Sequence, residues 1–191
     1  MSESGYAGEP MRVDTAFEPI QTDRLVLRRS VPEDAGTISA YRSDPNVNAQ
    51  QGWDRTDVGS VRADIAEMSR RSPGEPGGWV QFTVLDRDGG RIVGDVGLSL
   101  AEPETDVIKV GYTIAPEFQG SGFATEAIAA LVDYAFDTLG AEAVRAHASA
   151  ANAPSIRVAE KVGMHLIEKR MYRDGDEVWY GVRYEVRRDE R

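Results

Sequence analysis

The sequence predicts one α/β domain on a mixed sheet, in the order β-α-α-β-β-β-α-β-α-β-β. Three observations carry this. Apolar residues alternate with a period of two along 92–100, 108–114 and 178–186. They recur at helical spacing at Val58, Val61, Ile65 and Met68, and along the stripe Ala124, Ile128, Leu131, Val132, Ala135, Phe136 and Leu139. The chain of 191 residues, 41% hydrophobic and 28% charged, is long enough for one sizeable core.

Residues 1–18 mix Ser, Gly, Glu and Pro without a period and read as a loose tail, leaving 19–191 as the domain. Leu25 and Leu27 flank Val26 in a first short strand. Ser30-Val31-Pro32-Glu33 reads as a capping box, opening a helix with Ala35, Ile38 and Tyr41 on one face that fades at Asp44-Pro45. The stretch 46–55 is polar, with Trp53 inside it; a second helix covers 58–68, and 72–78 is a Pro/Gly loop. A strand over 79–85 turns at Asp88-Gly89-Gly90 into a second, in which Ile92, Gly94, Val96, Leu98 and Leu100 alternate. A third carries Ile108, Val110, Tyr112 and Ile114. The long helix then runs to its stop at Gly140. A strand over 143–148 precedes a shorter helix with Asn152 as its cap, Pro154 in its first turn and Gly163 as its stop. A hairpin turning at Asp174-Gly175 closes the chain, its return strand alternating Val178, Tyr180, Val182, Tyr184 and Val186.

Composition excludes several functions. There is no Cys, hence no disulfide, thiolate nucleophile or Cys-ligated metal, and two histidines, His147 and His165, leave little scope for a His-based metal site. The net charge of -10 disfavours nucleic acid and anionic membranes as partners. No apolar run reaches membrane-spanning length, and MSESGYAGEP lacks the design of a signal peptide, so a cytoplasmic location is expected.

The segment VGYTIAPEFQGSGFATEA carries the chemistry. A strand ends near Ala115-Pro116, a glycine-rich turn follows, and the long helix begins at once. Gln119, Gly120, Ser121, Gly122, Phe123 and Ala124 therefore sit where backbone N–H groups lack intrahelical partners and the helix dipole is positive. That suits a pyrophosphate, and Gly120 and Gly122 let the backbone approach it. An ordinary strand–helix turn would use the same glycines. There is no Gly-Lys-Ser/Thr of a nucleotide triphosphatase loop, and the later glycine of a dinucleotide-binding fingerprint is missing.

A second segment, Asn152-Ala153-Pro154-Ser155 followed by Val158-Ala159-Glu160-Lys161-Val162-Gly163-Met164, stands at matching distance. Together the two resemble the GNAT superfamily of N-acetyltransferases. Thr22-Asp23-Arg24-Leu25-Val26-Leu27-Arg28 and Gly122-Phe123-Ala124-Thr125-Glu126-Ala127 look most like its ribosomal-protein alanine acetyltransferase (RimJ/RimL) branch. The resemblance, over about 22–186, implies acetyl-CoA lying between the strands ending at Ala115 and near Ala148, which splay apart in this fold. It implies pyrophosphate binding by 119–124 and backbone pairing of Ile114 and Ala115 with the pantetheine arm. A strand N–H would stabilise the oxyanion formed when an amine attacks the thioester. Asn152 would bond the pantetheine arm, and Ser155 would protonate the leaving thiolate.

Two positions depart from the family. Where many members carry a tyrosine general acid, this chain has Ala159, and where many carry a carboxylate before the glycine turn it has Lys109. A base is still needed, because an alkylamine is mostly protonated at neutral pH. The candidates are Glu117, Asp95, Glu126 and His147. The acceptor side, expected from the first helices and the last hairpin, holds Tyr41, Trp53, Trp79, Tyr172, Trp179 and Tyr180. The expected acceptor is a protein or peptide N-terminal amine; a polyamine or antibiotic-like amine, or an acyl-CoA-binding module with little turnover, are the alternatives. A homodimer through the final hairpin, whose alternating strand is expected to expose a sheet edge, completes the expectations.

Overall fold

The computed structural model describes residues 11–51, 53–101, 106–174 and 177–191. Its strands are β1 (Ile20–Gln21), β2 (Leu25–Arg29), β3 (Trp79–Asp86), β4 (Ile92–Leu100), β5 (Val107–Ile114), β6 (Ala143–Ser149), β7 (His165–Asp174) and β8 (Glu177–Arg187). Its helices are α1 (Ala35–Arg42), α2 (Pro45–Gln51), α3 (Val58–Met68), α4 (Phe123–Asp137) and α5 (Ala153–Lys161). The strands form one mixed sheet in the order β1-β2-β3-β4-β5-β6-β8-β7, so the predicted fold class holds.

Every neighbouring pair is antiparallel except β5 and β6, which α4 joins as a crossover. That parallel ladder is short, running only from Val107↔Ala143 to Val110↔Ala146. Beyond it β5 stays with β4 as far as Gly94↔Ile114, and β6 stays with β8 as far as Ser149↔Gly181. The sheet therefore opens between the two strands. The opening is held by packing on both faces. Ile128, Leu131, Val132 and Ala135 of α4 are buried with Ile108, Val110 and Val144 on one face, each Ile, Leu or Val side chain contributing about 1.5–3 kcal/mol. On the other, Ala35, Ile38 and Tyr41 of α1 close with Val61 and Ile65 of α3 over Ala115.

Four local expectations are corrected. Residues 11–18 are tied down rather than loose: the Arg12 N–H donates to Leu139 O (2.7 Å), the Tyr134 hydroxyl donates to Asp14 (2.5 Å), and Phe17 meets the rings of Phe82 and Tyr134. The apolar Met11 and Phe17 give this stretch something to bury; residues 1–10 lie outside the described residues. Ser30 does not cap α1. Its hydroxyl pairs with that of Thr83 (2.9 Å), while the Asp34 carboxylate accepts the Val31 N–H (3.0 Å) and a 3-10 turn, Pro32–Asp34, leads into α1. Asp44-Pro45 both ends α1 and starts α2, because the Asp44 carboxylate accepts the Asn46 N–H (2.8 Å) and Pro45 fits a first helical turn. Finally, the sheet edge is β7, not the alternating β8. Val182, Tyr184 and Val186 are buried, but Val178 and Tyr180 are 44% and 47% exposed, because pairing with β6 stops at Gly181 and the outer hairpin extends past it. The turn residue Gly175 lies outside the described residues.

Candidate active site

The opening between β5 and β6 is lined on the β5 side by backbone groups. After β5 a 3-10 turn, Pro116–Phe118, leads to Gly120 and Gly122, both left-handed with φ of 76° and 82°. Only glycine enters that region cheaply. The turn leaves the N–H groups of residues 120–125 without an acceptor among the described residues. A Cβ on Gly120 would meet nothing within 4 Å, so the turn is open on its outer side. A bare row of amides at the start of a 15-residue helix is an anion cradle.

Neighbouring side chains stiffen the cradle. Arg24 donates to Ser121 O (3.0 Å), lies 4.7 Å from the centroid of the Phe123 ring and pairs with Glu126 at 2.6 Å. Glu126 also accepts from the Thr22 hydroxyl (2.6 Å) and the Arg24 N–H (2.9 Å). Burial raises its pKa, but these hydrogen bonds outweigh burial and leave the carboxyl below its ordinary value. Glu126 is thus a structural tie and a poor base. Gln119 turns inward, its Nε2 donating to Ile114 O (3.0 Å).

Ala115 is less available than expected. Its N–H donates to Val93 O (3.0 Å), and its own carbonyl accepts from Phe118 N–H (2.9 Å). With Ala115 turned to β4, strand alternation points the N–H groups of Tyr112 and Ile114 into the opening. The Tyr112 carbonyl there accepts from Gln51 Nε2 (2.9 Å), which fastens the end of α2 to the splayed strand.

Across the opening, Asn152 caps α5 by accepting the Ser155 N–H (3.1 Å). Ser155 and Tyr112 share a small apolar recess with Ile128, Ala148, Ala159 and Met164. Burial pushes the Tyr112 phenol above its ordinary pKa, and the neighbouring Ser155 side chain pulls it partly back. Both hydroxyls are protonated at neutral pH, so the pair is a proton donor facing the opening. Tyr112 was legible only as an alternating strand residue; its partner stands on another element, 43 positions later.

On the other side of β6 lies an open depression of about 740 Å3, bounded by the end of α2, the end of β6 and the inward face of the hairpin. Of the aromatic residues expected there, Tyr172 and Trp179 line it, stacked with centroids 5.8 Å apart and planes at 15°. Tyr180 faces the opposite way, its ring 5.1 Å from Lys169 Nζ. Trp79 lies across Gly97 and Gly111, and Trp53 stacks on Arg42 at 4.4 Å. Tyr41 is buried, donating to Asp95 Oδ1 (2.5 Å).

The base candidates separate on their partners. Asp95 is buried between the Tyr41 hydroxyl and Arg42 Nη2 (2.8 Å), so each of its oxygens already accepts a hydrogen bond. His147 lines the depression, but its Nε2 accepts from Arg183 Nε (3.0 Å). Burial first, then the charges of Arg183, Lys109 and Arg145, hold its pKa below the ordinary imidazole value. It is neutral and its basic nitrogen is occupied. Glu117 is exposed on the turn after β5 and has no hydrogen-bond or ion-pair partner among the described residues.

Comparison with known proteins decides what this geometry is. The acetyltransferase (GNAT) domain family matches residues 24–165. The chain belongs to the GNAT acetyltransferases. It is 31% identical over 143 residues, 74% of this chain and 79% of the relative, to an uncharacterized N-acetyltransferase, p20, of Bacillus licheniformis. It is 27% identical over 162 residues, 83% and 91% of the two chains, to N-acetyltransferase YoaA of Bacillus subtilis, also uncharacterized. A GNAT acetyltransferase from Bacillus anthracis superposes with a TM-score of 0.78 at 22% identity, covering 90% of this chain and 99% of that one. Spermidine N-acetyltransferase from Vibrio cholerae, in complex with CoA and spermine, gives 0.72 at 18% identity, covering 88% and 98%. The protein is therefore an N-acetyltransferase, and GNAT acetyltransferases use acetyl-CoA. The residues present fit that co-substrate: unpartnered amides at 120–125, an open face at Gly120, and a sheet that opens beside them. Among the described residues no helix is long and apolar enough to cross a membrane.

Proposed function

We propose that this GNAT enzyme acetylates the N-terminal amine of a protein or peptide, with acetyl-CoA in the opening between β5 and β6 and the acceptor entering from the depression. One observation carries the reading. Ala148, at the end of β6, lines both the recess that holds Ser155 and the depression that holds His147 and Ser149, so donor and acceptor meet at that strand end.

In this reading residues 119–124 take the pyrophosphate and Asn152 holds the pantetheine arm. The strand-end N–H groups at Tyr112 and Ile114 take the arm and the oxyanion. Ser155, backed by Tyr112, gives a proton to the departing thiolate, which answers the absence of a tyrosine at Ala159. Glu117, the candidate left free of partners, is the base. The breadth of the depression suits a polypeptide end. A polyamine is disfavoured by the wall, where Arg170 and Arg183 face a single carboxylate, Glu168, itself paired with Arg183 at 3.0 Å. An acyl-CoA-binding module without turnover would have no use for the Tyr112–Ser155 pair.

Membership of the RimJ/RimL branch, a cytoplasmic location and one domain over 19–191 belong to the same reading. A fold neighbour from Vibrio cholerae, provisionally described as a ribosomal-protein-serine acetyltransferase, fits it at 19% identity and a TM-score of 0.70. So does a dimer through the free edge of β7; a monomer by light scattering at micromolar concentration would remove that part. The activity is tested by CoA thiol release with acetyl-CoA and a panel of peptides, spermidine and aminoglycoside-like amines. Turnover fastest on peptides is expected. Spermidine or a drug-like amine outpacing every peptide, or binding of acetyl-CoA with no release on any amine, overturns it.

A further inference from the structure

The depression opposes in sign the chain that carries it. The protein has a net charge of -10, yet this wall presents two arginines against one glutamate, beside the neutral His147. Arg183 is occupied, its Nη1 on Glu168 (3.0 Å) and its Nε on His147 (3.0 Å). Arg170 is not. Its guanidinium lies 5.6 Å from the centroid of the Tyr172 ring and meets no carboxylate among the described residues. Tyr172 is itself braced by its stack on Trp179. An arginine seated on an aromatic platform with its N–H donors unspent is a planar fork for a carboxylate.

We propose that Arg170 selects acceptors carrying a carboxylate close to the reacting amine, that is, peptides with Asp or Glu among their first residues. This rests on the reading of the depression as the acceptor site. The cationic wall recruits such a peptide, and Arg170 bonds its carboxylate and so fixes the amine at the end of β6. A lysine in the same place meets Arg170 and Arg183 with like charge and is rejected. Arg170 is a specificity residue, not a catalytic one: it contributes equally before and during reaction, so it acts on the acceptor KM and leaves kcat nearly unchanged.

The test uses the purified enzyme, acetyl-CoA and peptide pairs identical except for Glu or Lys at the second residue. The wild type should favour the Glu peptide by about tenfold or more in kcat/KM, since a charge-assisted bond is gained and a repulsion avoided. Arg170→Gln should abolish most of that preference and Arg170→Glu should reverse it, with the KM for acetyl-CoA unchanged in both. Ala49→Trp, which fills the depression from the exposed face of α2, serves as the reference. A Glu/Lys ratio untouched by Arg170→Glu, with the acceptor KM raised by Ala49→Trp, overturns the inference and keeps the acceptor site. A ratio and an acceptor KM untouched by either variant overturn both. Spermidine used better than every acidic peptide also overturns the inference.

Discussion

The two sides of the opening in the sheet are made of different material. On the β5 side the contacts on offer are backbone amides: the row at 120–125 and the strand-end N–H groups of Tyr112 and Ile114. On the β6 side they are side chains, His147, Glu168, Arg170, Arg183, Tyr172 and Trp179, carried by strands that bring them together only through register. A backbone site is fixed by conformation and tolerates change wherever φ and ψ survive. A side-chain site can be rewritten one residue at a time without moving the chain. In the proposed reading the common co-substrate falls to the first kind and the variable acceptor to the second.

The largest expected effect attacks the packing of α1 on β4, the strand that backs β5. Asp95 neutralises Arg42 where both side chains are at most 10% exposed. Asp95→Ala strands a guanidinium and the Tyr41 hydroxyl, and should cost about 3–5 kcal/mol in chemical denaturation. A loss below about 1 kcal/mol would mean that the α1–β4 contact is not held by this triad. Next comes proton donation. Ser155→Ala should lower kcat and kcat/KM together by at least about tenfold, with acetyl-CoA affinity little changed. Tyr112→Phe should fall in the same direction; wild-type kcat in both would assign protonation of the thiolate to water. The backbone side is tested by Gly122→Val, which sets a β-branched residue at φ 82° and should weaken CoA binding about tenfold, or 1.4 kcal/mol, by calorimetry. Unchanged affinity in a folded variant would remove the turn from the site.

The smallest effect concerns pH. Because the folded pKa of Glu126 lies below its ordinary value, its stabilisation is present above the unfolded pKa of about 4.3 and is lost as pH falls through the folded value. The melting-temperature gap between wild type and Glu126→Gln should therefore be constant near neutrality and narrow below about pH 4. A gap that widens on acidification would contradict the tie to Thr22 and Arg24.

This division also explains what the sequence disclosed. The alternation along β4 and β5, the apolar stripe of α4 and the two glycines of the turn are local patterns, and each leads to the element it predicts. So did Asn152, whose capping bond spans three residues. Residues whose role depends on distant partners stayed hidden. Tyr112 reads as strand packing until α5 brings Ser155 to it. Asp95 and Glu126 read as candidate bases until Tyr41, Arg42, Thr22 and Arg24 are seen to occupy them. Glu168, Arg170 and Arg183 lie on a hairpin whose register shifts between Leu166 and Glu168, so the facing set cannot be counted off by twos. The short α2 was hidden for a different reason: Asp44-Pro45 punctuates two helices at once.

Arg24 beside the amide row has one more consequence. An arginine at a phosphate-binding turn would ordinarily make cofactor affinity sensitive to ionic strength, since salt screens a free cation and its ligand alike. Here the guanidinium is already neutralised by Glu126 and folded down on the Phe123 ring, so the turn meets an anion with peptide dipoles alone. Dipoles carry no counterion atmosphere to release. In the proposed reading the two halves are screened differently: raising salt from about 0.05 to 0.5 M, which shrinks the screening length from roughly 14 to 4 Å, should loosen an acceptor held at the bare charge of Arg170 more than a pyrophosphate held by the dipoles of the turn, which salt screens as well. On that reading the ionic strength of the medium would act on the choice of acceptor more than on the loading of the enzyme.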